Sequence, residues 1–200
     1  MSNPVVVLAS GSAVRAKMLR DAGIDIVVDP ARIDEDAIKD ACRAENATPE
    51  QTAETLAEMK AARIEAKHPG ALIIGADQML ECESVWYDKP VDRAAAKAQL
   101  LALQGRTHRL ITAVSIRRDG QYLWHRIESA SLTMRALDDA TVETYLDHAG
   151  PEVLHSVGVY QLEGLGAQLF AKIEGDFFTI LGLPLLALLD FLRNNGVGLK

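Results

Sequence analysis

The chain passes from a buried strand into a helix through only three residues, and that junction narrows the folds open to it. The stretch PVVVLAS, residues 4–10, is short, β-branched and opened by a proline, which predicts a buried strand running into the turn. Ser10, Gly11 and Ser12 form that turn, and a helix begins at once with Ser12 as its N-cap and Gly23 as its stop. Such a turn aims unpaired backbone N–H groups at one point, where the helix dipole also favours negative charge. It can hold a phosphate, or it can be a capped helix and nothing more.

The same alternation continues along the chain. DIVVDPARIDED predicts a second short strand leading into an acidic loop with Asp34, Glu35 and Asp36. TPEQTAETLAEMKAARIEAKHPG opens with Thr48 as N-cap, Pro49 at the first helical position and Gln51 three residues after the cap, and closes at Pro69-Gly70. ALIIGADQML then reads as a buried strand with Asp77 toward its carboxyl end, and residues 92–103 as another capped helix. Alternation on both sides of Asp119-Gly120 signals a hairpin. Asp138 or Asp139 caps the helix ATVETYLDHAG, VGVYQLEGLGAQLFAKIEGDFFTILG reads as strand and turn, and LPLLALLDFLRNNG as a final buried helix. Strands interleaved with helices, plus one hairpin, predict an α/β fold with a mixed sheet.

Two hundred residues, 48% hydrophobic and 24% charged, suffice for one compact domain in two lobes. Cys42 and Cys82 lie far apart without C-x-x-C spacing, so no disulfide framework is expected and a reduced, cytoplasmic setting is. No secretory leader is expected, and ILGLPLLALL is too short to span a bilayer. A net charge of −7 argues against general affinity for nucleic acid. It leaves room for a small anion, because a few lysines and a divalent ion can reverse the potential locally.

Several side chains could carry chemistry. Asp77, delivered by an apolar strand, can bind a hard metal ion or accept a proton from water, or can simply be a turn aspartate. Lys60 lies one helical turn beyond Leu56 on an apolar face, reaching toward something negative or snorkelling past the core. Lys89 precedes a proline that fixes an extended backbone, and Glu35 is a metal ligand or a solvated acid. His108 reads as structural, and His125, His148 and His155 lack zinc spacing. The Walker-type phosphate loop is absent. As a set, a phosphate-suited turn, separated lysines and two acidic residues are what a Mg²⁺-triphosphate site requires.

At this point the chain resembles the Maf family of nucleoside triphosphate pyrophosphatases. The resemblance rests on an ordered series: LASGS with Arg15, Asp34-Glu35, LAEMKA around Lys60, IIGADQ, Asp88-Lys89-Pro90, GRTH followed by Thr112-Ala113, VGVYQLEGLGA and GLPLLALL. It implies an elongated mixed β-sheet flanked by helices with a central cleft, of the kind shared with ITPases, a homodimer, and a divalent cation, Mg²⁺ or Mn²⁺. It also implies hydrolysis of a nucleoside triphosphate to the monophosphate and pyrophosphate. By motif, Asp77 matches the proton acceptor and a metal ligand, Glu35 the acidic position of the DE pair, and Ser12, Arg15, Lys60 and Lys89 the polar set around the phosphates.

Substrate choice follows from departures within the motifs. The dTTP/UTP branch carries SPRR, GADT and YGIQG, where this chain has Ala13-Val14-Arg15, Gln78 and Glu163, and Ser156 replaces a lysine common in that branch. Gln78 and Glu163 resemble the 7-methyl-GTP branch. A carboxylate at position 163 can accept from both guanine N1–H and the 2-amino group, whereas uracil offers one N–H. That branch usually has an aromatic residue where Val14 stands. The expectation is a pyrophosphatase of modified, guanine-like nucleotides; the alternatives are a dTTP/UTP pyrophosphatase and a nucleotide-binding regulator of septum formation.

Overall fold

The computed structural model describes residues 4–199. Seven strands form one mixed sheet: β1 Val6–Leu8, β2 Ile26–Val28, β3 Leu72–Cys82, β4 Val85–Tyr87, β5 Thr107–Arg118, β6 Gln121–Met134 and β7 Phe170–Glu174. Their order is β2-β1-β3-β5-β6-β7, with β4 paired off the path to β3. β1 runs parallel to both β2 and β3, while β4 on β3 and β7 on β6 are antiparallel. The helices are α1 Ala13–Asp21, α2 Glu35–Ala44, α3 Pro49–Glu65, α4 Arg93–Leu103, α5 Asp139–Ala149, α6 Phe177–Ile180 and α7 Leu185–Asn194. No helix among the described residues is long and apolar enough to cross a membrane.

The chain divides into two compact units. The first takes the chain up to Asp77, Thr112–Glu128 and the chain from Gly182 onward. Its core packs α3 on the parallel strands, with Val7, Ala9, Ala61, Ile64, Ala71 and Ile73 in one buried cluster. The second unit, Gln78–Ile111 and Ser129–Leu181, is built around a larger cluster that includes Leu80, Leu100, Leu110, Leu132, Leu146 and Tyr160.

Local sequence accounts for most of these elements. Ser12 Oγ accepts from Arg15 N and caps α1, while Thr48 and Gln51 form a reciprocal capping box on α3 with Pro49 in its first turn. Asp92 and Asp138 cap α4 and α5. Asp119 and Gly120 both take positive φ, 52° and 81°, as the two-residue turn between β5 and β6 demands.

The structure corrects four expectations. The acidic loop at 34–36 is instead the start of α2: Asp34 accepts from Ala37 N as its cap, and Glu35 and Asp36 fill the first turn, where the dipole favours negative charge. Asp77 does not end its strand but sits midway along β3, which runs on to Cys82 and turns back at Glu83-Ser84 into β4. It nonetheless lies beyond the end of the parallel pairing, because β1 stops at Leu8, opposite Ile74. The stretch from Val157 to Leu169 is turns and a short 3₁₀ segment, Leu165–Leu169, with strand only from Phe170. The last helix begins after Pro184 and is buried on one side only, Leu186 being 64% exposed.

Candidate active site

The site begins with a glycine. Gly75 on β3 faces α3 so closely that a Cβ there would lie 1.9 Å from the carbonyl oxygen of Ala57 and 2.9 Å from Ala61 N. A side chain at 75 would hold the helix off, so glycine is what lets helix and strand touch. Asp77, two residues along, points to the same face as position 75. Lys60, between the two helix residues that press on Gly75, is carried toward it.

The lysine is therefore buried among acids. Lys60 Nζ lies 2.6 Å from Asp77 Oδ1 and 2.7 Å from Glu35 Oε1, with Lys60 only 7% and Asp77 only 5% exposed. Glu35 comes from the first turn of α2 and is more open to solvent. An isolated ammonium at this depth would be strongly unfavourable; pairing with two carboxylates is what makes its burial tolerable. The sequence left Lys60 between snorkelling and reaching for negative charge, and the structure decides for the second.

Arg15 joins this group from the other side of the strand-to-helix turn. Its Nε donates to Gly182 O at 2.8 Å, and one terminal nitrogen donates to Ser10 Oγ at 3.1 Å and Ala76 O at 3.0 Å. Burial pushes the guanidinium pKa down, and the nearby charges of Asp77 and Glu35 pull it back up. Three N–H groups of its fork go to protein oxygens, which fixes the plane of the guanidinium. Gly182 is bound to its identity twice over: φ is +106°, and a Cβ would sit 3.0 Å from Arg15 Nε.

The first unit thus brings together Arg15, Glu35, Lys60 and Asp77. Ser12 borders the group as the cap of α1, and Val14 is half-buried in the first turn of that helix. Lys89, Gln78 and Glu163 belong to the second unit. There Lys89 is exposed just after β4, Glu163 is exposed on the turn before the 3₁₀ segment, and Gln78 Nε2 donates to the carbonyls of Thr179 and Ile180, both at 3.1 Å.

Two contributors escaped the sequence reading, Gly75 and the Gly182 carbonyl, and so did the burial of Lys39 beside Glu35 on α2. Lys39 is the buried residue of α2 at 8% exposure, one turn past Glu35 on the same face. A glycine inside an apolar strand and a lysine four residues after a glutamate were the available signals. His108 is structural as expected: fully buried, its Nε2 lies 2.7 Å from the Tyr160 hydroxyl. Among the described residues no three His, Cys, Asp or Glu side chains are grouped to hold a metal ion.

The profile of Maf-like proteins matches residues 5–195, nearly the whole length. The chain belongs to the Maf family. Among curated Maf relatives, a nucleoside triphosphate pyrophosphatase of Paramagnetospirillum magneticum is 61% identical over 94% of this chain and 97% of its own. A second protein of that name, from Rhodospirillum rubrum, is 50% identical over 97% of this chain and 96% of its own. A 7-methyl-GTP pyrophosphatase of Mesorhizobium japonicum is 47% identical, covering 96% of both chains. A crystal structure of a dITP/XTP pyrophosphatase from Mycobacterium abscessus shows a distant likeness, with TM-score 0.45 and 19% identity over 94% of this chain and 96% of that one.

Proposed function

We propose that this Maf protein hydrolyses a nucleoside triphosphate to the nucleoside monophosphate and pyrophosphate. One observation carries the reading: a buried aspartate, Asp77, held by a buried lysine beside a guanidinium pinned in place. Water attacks the α-phosphorus and the α–β bridging oxygen leaves with pyrophosphate, so the protein must orient the water and neutralise charge on the leaving group. Asp77 accepts the hydrogen bond from that water and takes its proton. Lys60 and Arg15 hold the phosphate oxygens, and the turn at Ser12 adds backbone N–H groups. The names of the Paramagnetospirillum and Rhodospirillum relatives support the same reaction.

A divalent cation fits this donor set. Glu35 and Asp77 offer two hard oxygen ligands from different elements, and Mg²⁺ characteristically binds one or two carboxylates and completes its shell with substrate phosphates and water. When bound it would supply positive charge against the polyphosphate and acidify the attacking water.

For the base, the reading is a guanine-like, 7-methylated nucleotide. Glu163 is exposed and acceptor-only when ionised, which suits the paired donors of guanine. The Mesorhizobium relative bears that activity in its name. The test is a panel of nucleoside triphosphates with Mg²⁺ and Mn²⁺, scored for pyrophosphate and monophosphate. Faster turnover of 7-methyl-GTP than of dTTP and UTP is expected, and the reverse order overturns the base assignment. Asp77→Asn should abolish turnover while nucleotide binding persists; a variant that still releases pyrophosphate at the wild-type rate removes Asp77 from the mechanism.

A further inference from the structure

Lys60 occupies the position that the proposed cation would compete for. Its ammonium touches Asp77 and Glu35 at 2.6 and 2.7 Å, the same two carboxylates assigned above to a divalent ion. Both acids therefore already share one ammonium before any ligand arrives. With Arg15, whose guanidinium feels the charges of Asp77 and Glu35, these four side chains carry two positive and two negative charges and between them offer no net negative charge to an incoming dication. A dication entering beside a buried ammonium meets repulsion that water screens poorly at this depth.

What could release the carboxylates is another anion. A lysine stem carries several rotatable bonds and three N–H donors, so its head can turn to a new acceptor without the helix moving. A triphosphate brings such acceptors. From this arrangement we infer that Lys60 is the resident counter-ion of the Glu35–Asp77 pair, excluding a divalent cation until a polyphosphate draws the ammonium away. The inference rests on the pyrophosphatase reading above and adds to it an order of assembly: metal and nucleotide bind as one linked event. By linkage, each then tightens the other by the same factor.

The experiment titrates the full-length protein with Mn²⁺ alone, followed by electron paramagnetic resonance of free Mn²⁺, and repeats it with α,β-methylene GTP, whose scissile bond cannot be hydrolysed. After the Mn²⁺ chelated by the analogue in a protein-free titration is subtracted, wild type should bind Mn²⁺ about tenfold or more tighter with the analogue present than without it. Lys60→Met should bind Mn²⁺ alone about tenfold or more tighter than wild type does, and adding Asp77→Asn to it should erase that gain. Folded Lys60→Met with unchanged Mn²⁺ affinity overturns the proposal. So does wild type binding Mn²⁺ equally well with and without the analogue, a result that needs no variant to fold. Pyrophosphate release is assayed separately: turnover without Lys60-dependent exclusion defeats this inference alone, and no release from any nucleotide defeats the pyrophosphatase reading and this inference with it.

Discussion

Gly75→Ala is the sharpest test of how the site is assembled. The added methyl would lie 1.9 Å from Ala57 O, and a Cβ is essentially never found closer than 3.0 Å to such an atom, so α3 must retreat by about 1 Å. Lys60 rides on the same turn of α3. Its 2.6 Å contact with Asp77 must then be re-made from a backbone set back by about 1 Å, with the ammonium and both carboxylates displaced from their wild-type geometry. Overpacking of this kind costs about 1–3 kcal/mol, which for a chain of this size lowers Tm by roughly 2–12 °C. A misplacement of about 1 Å at reacting groups costs on the order of 10²-fold in rate. The assay pairs thermal unfolding with kcat for pyrophosphate release, and uses Leu146→Ala, a cavity variant in the second unit's core, as a control of comparable or greater stability loss. The expected pattern is a kcat deficit in Gly75→Ala far exceeding that of the control. Equal kcat in Gly75→Ala and wild type, with Tm lowered, would refute the reasoning, because the helix would then have moved without disturbing the chemistry.

Arg15→Lys removes the fork that serves Ser10, Ala76 and Gly182 at once; pyrophosphate release should fall by about 10²-fold, and retention of half the activity would show that charge alone suffices. Burial holds the folded-state pKa of His108 at about 4, below its ordinary 6.5, so between those values the unfolded chain takes up a proton that the folded chain refuses. Its contribution is complete above about pH 6.5 and is lost as pH falls toward 4, about 2 kcal/mol by pH 5; denaturant unfolding of His108→Phe should show a stability drop between pH 7.5 and 5 smaller by that amount, and an identical drop would refute it. Gly158→Ala would set a methyl 2.2 Å from Cε1 of Tyr160, displacing the ring that anchors the turn before Glu163. The ratio of 7-methyl-GTP to UTP turnover should shift in that variant, and an unchanged ratio would detach this turn from base choice.

How much of this was legible depended on the range of the interaction. Thr48 and Gln51 satisfy each other across three residues, and Asp119-Gly120 reverses the chain in two, so both could be read locally. Helix α2 failed for a subtler reason. Three acids in a row at 34–36 look like a solvated loop, yet the first of them caps the other two, and an acidic first turn is also how a helix complements its dipole. The Arg15 fork was out of reach, because its acceptor at Gly182 is 167 residues away and is a carbonyl, which every residue type carries.

Lys60 shows why the least readable residue is also the most informative. The buried stripe of α3 runs Ala53, Leu56, Ala57, Lys60, Ala61, Ile64, and a lysine there contradicts the apolar pattern around it. Periodicity alone allows two resolutions, a head that escapes to water or a head that finds anions, and only the second leaves the residue 7% exposed. The anions come from α2 and from β3, elements that the chain separates from Lys60 by loops and a helix turn, and they converge because Gly75 lets helix and strand meet. Stability gives no reason to keep such a cluster, since replacing a buried ion group by apolar side chains is often neutral or favourable. A charge group that costs desolvation, breaks the pattern of its own helix and requires a glycine to assemble is explained by what it can do to a polyphosphate.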